Sequence, residues 1–158
     1  METYDDLLVQ VEHQAPGFGG MFTGEDGRLV VYLLDPSKIG AAQSAIQSVF
    51  GPGHIPLAGV RAVRGRYTIS QLKRWSERAA KLLEIPGVTA VGLDAAHNRV
   101  AIGLDSASQK AAVSKRLKSL RIPLDAVAFK VLGPIRQLDD APTKQRSLNR
   151  ERSRSTQR

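Results

Sequence analysis

The chain has 158 residues, a formal net charge of +8 and no Cys, which excludes disulfides and thiolate metal sites. A hydrophobic fraction of 42% with only 5% aromatics calls for an aliphatic core, and the length suits one ordinary domain or two small ones. No apolar run approaches the roughly 18 residues that span a bilayer, and no basic segment followed by a long apolar one marks an export signal at the N-terminus, so the chain reads as cytoplasmic.

The charge is unevenly placed. Up to Asp35 there are seven acids and one base, Arg28, whereas Gly59–Arg136 holds fifteen bases and five acids. Residues 144–158 add six bases and one acid. The molecule is therefore dipolar, with an acidic front, a basic second half and a basic end.

Residues 3–14 read as a short helix, with Thr3 and Asp6 spaced as a capping box and Leu7, Leu8 and Val11 as its apolar stripe. Pro16-Gly17 breaks it. Phe18–Phe22 is a strand candidate in which Gly19 and Gly20 mark a bulge or the close approach of another backbone. Arg28–Leu34 is nearly continuously apolar, as a strand covered on both faces would be. Asp35 and Pro36 suit the N-cap and first position of a helix, whose face is Ile39, Ala42, Ile46, Val49 and Phe50; Gly51-Pro52-Gly53 ends it. Gly59–Arg64 alternates as a third strand.

The clearest helix is predicted over 68–85, capped by Thr68 or Ser70, with Ile69, Leu72, Trp75, Ala79, Leu82 and Leu83 buried. Beyond Pro86-Gly87, Thr89–Leu93 and Arg99–Leu104 read as strands around a turn holding His97 and Asn98. A helix over 106–120 and a last strand over Ala126–Val131 follow.

The halves echo one another. Pro16-Gly17-Phe18 matches Pro86-Gly87-Val88, the run from Arg28 to Leu33 matches that from Arg99 to Leu104, and Ile55-Pro56-Leu57 matches Ile122-Pro123-Leu124. The expected fold is α+β: two ββαβ units from an internal duplication, joined by a central amphipathic helix, with small sheets packed on helices. The boundaries are an N-terminal helix over 1–15, a first unit over 16–66, a connecting helix over 67–86, a second unit over 87–138 and a tail over 139–158. At about 45 residues neither unit would bury enough surface alone. In the tail, Leu148 is the one large apolar residue, a composition expected to stay disordered.

Catalytic patterns are lacking. His13, His54 and His97 show no metal-ligand spacing and read as exposed or turn histidines. There is no nucleophile elbow and no P-loop, and the glycines of 17–24 read as strand glycines. Asp94 and Asp105 flank the Arg99–Leu104 strand, suited to turn and cap roles more than to a paired-carboxylate site. No metal or cofactor is implied, and no enzymatic activity is expected. Lys110, Lys115, Arg116 and Lys118 read as a solvated helix face. Arg146, Arg150, Arg152 and Arg154 could contact nucleic-acid phosphates, or serve only to solubilise. Phe18, Phe22, Tyr32 and Phe129 do not form an RNA-binding sheet pattern.

From Gly87 to Val131, the Gly-Val start, a strand ending in Asp94, the Asn98-Arg99 turn, an Ala-rich helix and a final Val/Phe strand resemble a known module. This is the pro-region that precedes bacterial chymotrypsin-like serine peptidases of the α-lytic protease and streptogrisin type. The resemblance covers roughly residues 16–138. It implies a small α+β domain that packs a three-stranded sheet against a peptidase, templates its folding and then inhibits it. It also implies an exported protein. With no peptidase triad in the chain, the partner would be a serine peptidase in trans. The expected contact strand is Ala126, Val127, Ala128, Phe129, Lys130 and Val131. The alternative reading is a binder of nucleic acid or of an acidic partner, and a third is a domain that holds a small ligand between its units.

Overall fold

The computed structural model describes residues 1–132. Over this span the chain forms α1 (Tyr4–Gln14), β1 (Phe18–Thr23), β2 (Leu29–Leu33), α2 (Ile39–Phe50), β3 (Val60–Arg64), α3 (Ile69–Ala79), β4 (Val88–Asp94), β5 (Arg99–Leu104), α4 (Lys110–Ser119) and β6 (Val127–Val131). The α+β class and the duplicated architecture are present. Two three-stranded sheets, β1-β2-β3 and β4-β5-β6, each have a central strand antiparallel to the first and parallel to the third. The tail expected over 139–158 and the end of the second unit lie outside the described residues.

The copies agree in backbone detail. Gly17 and Gly87 share a left-handed conformation, with φ of 92° and 90°, which only glycine adopts at little cost. Their carbonyls accept from the residue that follows each central strand, Leu34 N–H to Gly17 at 3.0 Å and Asp105 N–H to Gly87 at 2.9 Å. Each first strand carries a bulge, between Phe18 and Met21 in one copy and between Val88 and Ala90 in the other. Each third strand ends on the same bond, Gly65 N–H to Leu33 O and Leu132 N–H to Leu104 O, both 2.9 Å.

The repeat is longer than the strands alone suggest. Helix α3 precedes β4 as α1 precedes β1. Both open on a Thr capping box, Thr3 with Asp6 and Thr68 with Gln71. The helix that links the units is thus also the first helix of the second copy, and the repeating order is αββαβ. It does not run straight to residue 85. After Ala79 it tightens into a 3-10 segment over Ala80–Glu84. At three residues per turn Leu82 stays in line with Ala79 and is buried, while Leu83 swings out and is 49% exposed. The helix expected over 106–120 likewise splits, into a 3-10 turn at Ala107–Gln109 and α4.

Two aliphatic cores result. One gathers Leu8, Val11, Phe18, Val31, Leu33 and Ile46; the other gathers Leu72, Leu82, Ile102, Leu104, Val113 and Leu117. Helix α3 bridges them, because Ile69 sits in the first and Leu72 in the second. Its N-terminus is tied to α1: the Glu12 carboxylate accepts from Ser70 N–H at 3.0 Å and from the Ser70 hydroxyl at 2.6 Å. A carboxylate there complements the partial positive charge of the helix end.

The deepest polar link between the halves is Asn98, in the β4–β5 turn. It is 1% exposed and lies in the left-handed region at φ 55°, which Asn tolerates better than most residues. Its side-chain oxygen accepts from Arg66 N–H at 2.8 Å and Tyr67 N–H at 3.1 Å. Its amide donates to Gly19 O and Tyr67 O, both at 2.8 Å. One turn residue of the second copy therefore fastens strand β1 and the β3–α3 connection. The glycines of β1 make room for it. A Cβ on Gly19 would meet Tyr67 O and the Asn98 amide nitrogen, and one on Gly20 would meet the Ala95 carbonyl. The close backbone approach expected at Gly19-Gly20 is thus real, and its partner is the other copy.

Candidate binding face on the second sheet

Side chains alternate across a sheet, so each sheet has a core face and an outer face. In the second sheet Val100, Ile102 and Leu104 of β5 point to the core, where α3 and α4 send Leu72, Val113 and Leu117. The registers place Gly92 opposite Ala101 and Ala90 opposite Gly103 on the other face, with Ala128 beside Ala101 and Lys130 beside Gly103. That face is a floor of small residues. Ala90 is exposed, and Ala101 and Ala128 are half-buried. A shallow depression of about 300 Å³ lies over it, bordered by Asp94, Lys130 and Leu132.

The equivalent face of the first sheet is built differently. Superposing the registers matches Gly92 with Phe22, Ala101 with Val30, Gly103 with Tyr32 and Ala128 with Arg61. At these four positions a larger side chain of the first copy gives way to Ala or Gly in the second, while Val63 gives way to Lys130. The first face is also occupied: Val30 is fully buried, and the Tyr32 hydroxyl donates to Ala96 O at 2.9 Å, in the turn that holds Asn98. Burial of the Tyr32 phenol pushes its pKa above the usual value.

One end of the open face is closed by charges. Asp94, with its side chain 8% exposed, receives Lys130 Nζ at 3.3 Å and His97 Nδ1 at 2.8 Å. The Lys130 stem must cross the small-residue floor from β6 to reach β4. Arg99, the register partner of Asp94, turns instead over the Tyr67 ring at 5.7 Å. The His97 ring is 67% exposed on its side chain. Among the described residues no hydroxyl or second base lies within hydrogen-bond reach of that ring, so no nucleophile–base pair is assembled there. No group of three or more His, Asp or Glu able to hold a metal occurs among the described residues.

The strand expected to make contact divides into unlike parts. Ala126 belongs to a 3-10 turn, Leu124–Ala126, and is fully buried; it is a packing residue, not a surface one. Val127 and Phe129 pair with Val100 and Ile102 and face the core, each half-buried. Ala128 and Lys130 lie on the open face. Val131 is 46% exposed and Leu132 70% exposed. Strand β6 is an outer strand of its sheet. Because Leu132 N–H points to β5, the Phe129 and Val131 N–H groups point away from it, along the free edge. Arg146, Arg150, Arg152 and Arg154 lie outside the described residues. Of the aromatics considered for nucleic-acid stacking, Phe18 is core, while Phe22 and Tyr32 stand 5.9 Å apart on the filled face.

Two elements of this site escaped sequence reasoning. The Asp94–Lys130 pair joins residues on different strands and needs the register to be seen. The small-residue floor could have been read by aligning the copies strand by strand, since the Val30/Ala101 and Tyr32/Gly103 contrasts already stand in the matched runs. No known protein family matches the chain, and a comparison with curated proteins likewise finds no match.

Proposed function

We propose that this protein is a non-catalytic binding module that engages an extended segment of a partner protein along β6 and over the open face of the second sheet. The resemblance of Gly87–Val131 to serine-peptidase pro-regions makes a chymotrypsin-like serine peptidase the partner of choice, bound in trans, with the module assisting its folding or inhibiting it. The observation that carries the reading is the contrast between copies: one sheet face is filled, the other is an unfilled floor of Ala and Gly beside an outer strand. Strand addition supplies directional backbone hydrogen bonds, and pockets for alternate side chains supply selectivity. The depression over Ala101 and Gly103 would serve as such a pocket.

The test uses the purified chain with a chymotrypsin-like peptidase encoded by the same genome. Slower substrate hydrolysis or a higher refolding yield of the peptidase is expected. Val131→Pro removes an edge N–H that makes no bond to β5 and should abolish the effect while leaving the fold intact, since edge strands tolerate proline. No effect of the unmodified chain on either measurement removes this reading.

A further inference from the structure

A second surface lies on the helical side of the same sheet, away from the open face. The 3-10 segment Ala80–Glu84 and helix α4 flank an open groove of about 600 Å³, with Ile85 and Ala112 in its lining. Lys81, Lys115 and Arg116 line its walls with a single acid, Glu84. All three cations are exposed. Among the described residues, none of them has an ion-pair or hydrogen-bond partner for its side chain. The acids that form ion pairs among the described residues do so elsewhere: Asp6 and Glu77 hold Lys73, Asp125 lies near Arg66, Asp26 near Arg28, and Asp94 takes Lys130. Lys118 and Arg121 are exposed at the same end of α4, and Arg78 reaches over to donate to Leu120 O at 3.2 Å.

We infer that this groove is a binding track for the phosphate backbone of nucleic acid. Cations on both walls, without an ion-pair partner among the described residues, set a positive potential along a cleft, and a low-dielectric lining focuses it. A regularly charged polymer is the occupant that matches. A backbone seated on such cations releases condensed counterions, which makes the interaction steeply salt-dependent and largely independent of sequence. The groove does not overlap the β6 edge, so this inference stands apart from the protein-binding role.

The experiment is fluorescence anisotropy of the full chain with a labelled 20-base single-stranded RNA and a duplex DNA of equal length, titrated at 50 to 200 mM salt. The variant is Lys81→Gln, Lys115→Gln and Arg116→Gln combined; circular dichroism confirms its fold. Losing three phosphate contacts should make the slope of log affinity against log salt shallower by about 2.7 for the duplex and about 2.1 for the single strand. Over that fourfold salt range the unmodified chain should then lose roughly 40-fold more affinity than the variant for the duplex and roughly 20-fold more for the single strand. Equal slopes for the two proteins, or binding abolished by Arg150→Ala with Arg152→Ala and Arg154→Ala but untouched by the groove variant, overturn the inference. So does binding to phosphatidylserine vesicles with none to either oligonucleotide.

Discussion

Replacing Asn98 should cost more stability than replacing any other polar residue in the described chain. The side chain makes four hydrogen bonds at 2.8 to 3.1 Å from a position that is 1% exposed. At about 1 kcal/mol net for each bond, Asn98→Ala should lose about 4 kcal/mol. Asn98 already holds a Cβ in the left-handed region, so Asn98→Gly loses the same bonds but is relieved of roughly 1 kcal/mol of strain, and should lose about 3 kcal/mol. That is a large part of the 5–15 kcal/mol that typically separates folded from unfolded domains. Urea unfolding measures it. Trp75 is the only tryptophan; it packs edge-on against Tyr67 at 5.1 Å and borders the second core, so its fluorescence reports that half. Far-UV circular dichroism reports both halves. With Asn98 present the two signals should share one midpoint; in Asn98→Ala they should separate, as the clasp between the cores is gone. A loss below about 1 kcal/mol for Asn98→Ala would refute the clasp, and equal losses for Ala and Gly would refute the backbone part of the argument.

Further substitutions test other parts of the fold. Leu82→Ala should destabilise by about 3 kcal/mol and Leu83→Ala by no more than about 0.5 kcal/mol, a difference in urea midpoint that a continuous α-helix through residue 85 would not give. Thr68→Ala removes the hydroxyl that caps α3 and should cost about 1 kcal/mol, read the same way. The backbone and hydroxyl of Thr3, with Lys73, hold the Asp6 carboxyl below the usual carboxylate range. A depressed folded-state pKa adds stability above the unfolded value of about 3.9 that is lost as pH falls through the folded one, so Asp6→Asn should flatten the acid limb of a thermal-stability profile below about pH 4. Filling the open face with Gly92→Phe and Ala101→Val should leave the urea midpoint unchanged or raised while removing any effect on a peptidase partner.

The order of elements was legible in the chain because its signals are local. Thr3 and Thr68 cap α-helices where their spacing says, Asp35 caps the 3-10 turn Pro36–Lys38 that leads into α2 and not α2 itself, and Gly17, Gly51 and Gly87 end or turn segments as glycines at positive φ do. Leu83 misled because helical spacing assumes 3.6 residues per turn, and the switch to a tighter turn after Ala79 leaves no mark in hydrophobicity. Ala126 misled because an apolar run does not reveal where a 3-10 turn ends and a strand begins. The clasp at Asn98 was beyond reach for a different reason. It joins residues 79 and 31 positions apart, and only the folded chain shows that a polar turn in one copy is buried against glycines in the other. The open face falls between these cases, visible in the matched strands but meaningless until the register assigns each residue a side.

The contrast between the two outer faces explains why filling one should be harmless to the fold and fatal to binding. In the first copy Phe22, Val30 and Tyr32 have something to pack against, because the Ala95–Asn98 turn of the second copy lies on that face. Among the described residues nothing supplies the same cover for the second sheet, so Phe, Val and Tyr at positions 92, 101 and 103 would add to an exposed apolar patch there. Small residues avoid that patch and leave a depression in its place. Burying a large apolar side chain contributes about 1.5–3 kcal/mol, and the first copy gains this internally. The second copy would gain it from an incoming side chain. Gly92 has room for a Cβ, which would meet nothing within 4 Å, and Val is a better strand residue than Ala. The fold therefore has backbone room for the first copy's residues at positions 92 and 101, and what they displace is the Lys130 stem that crosses this floor to Asp94. A partner that uses the depression loses its seat. If the double variant binds a peptidase as well as the unmodified chain does, the open face is only the uncovered back of a sheet, and β6 must do the work by its edge alone.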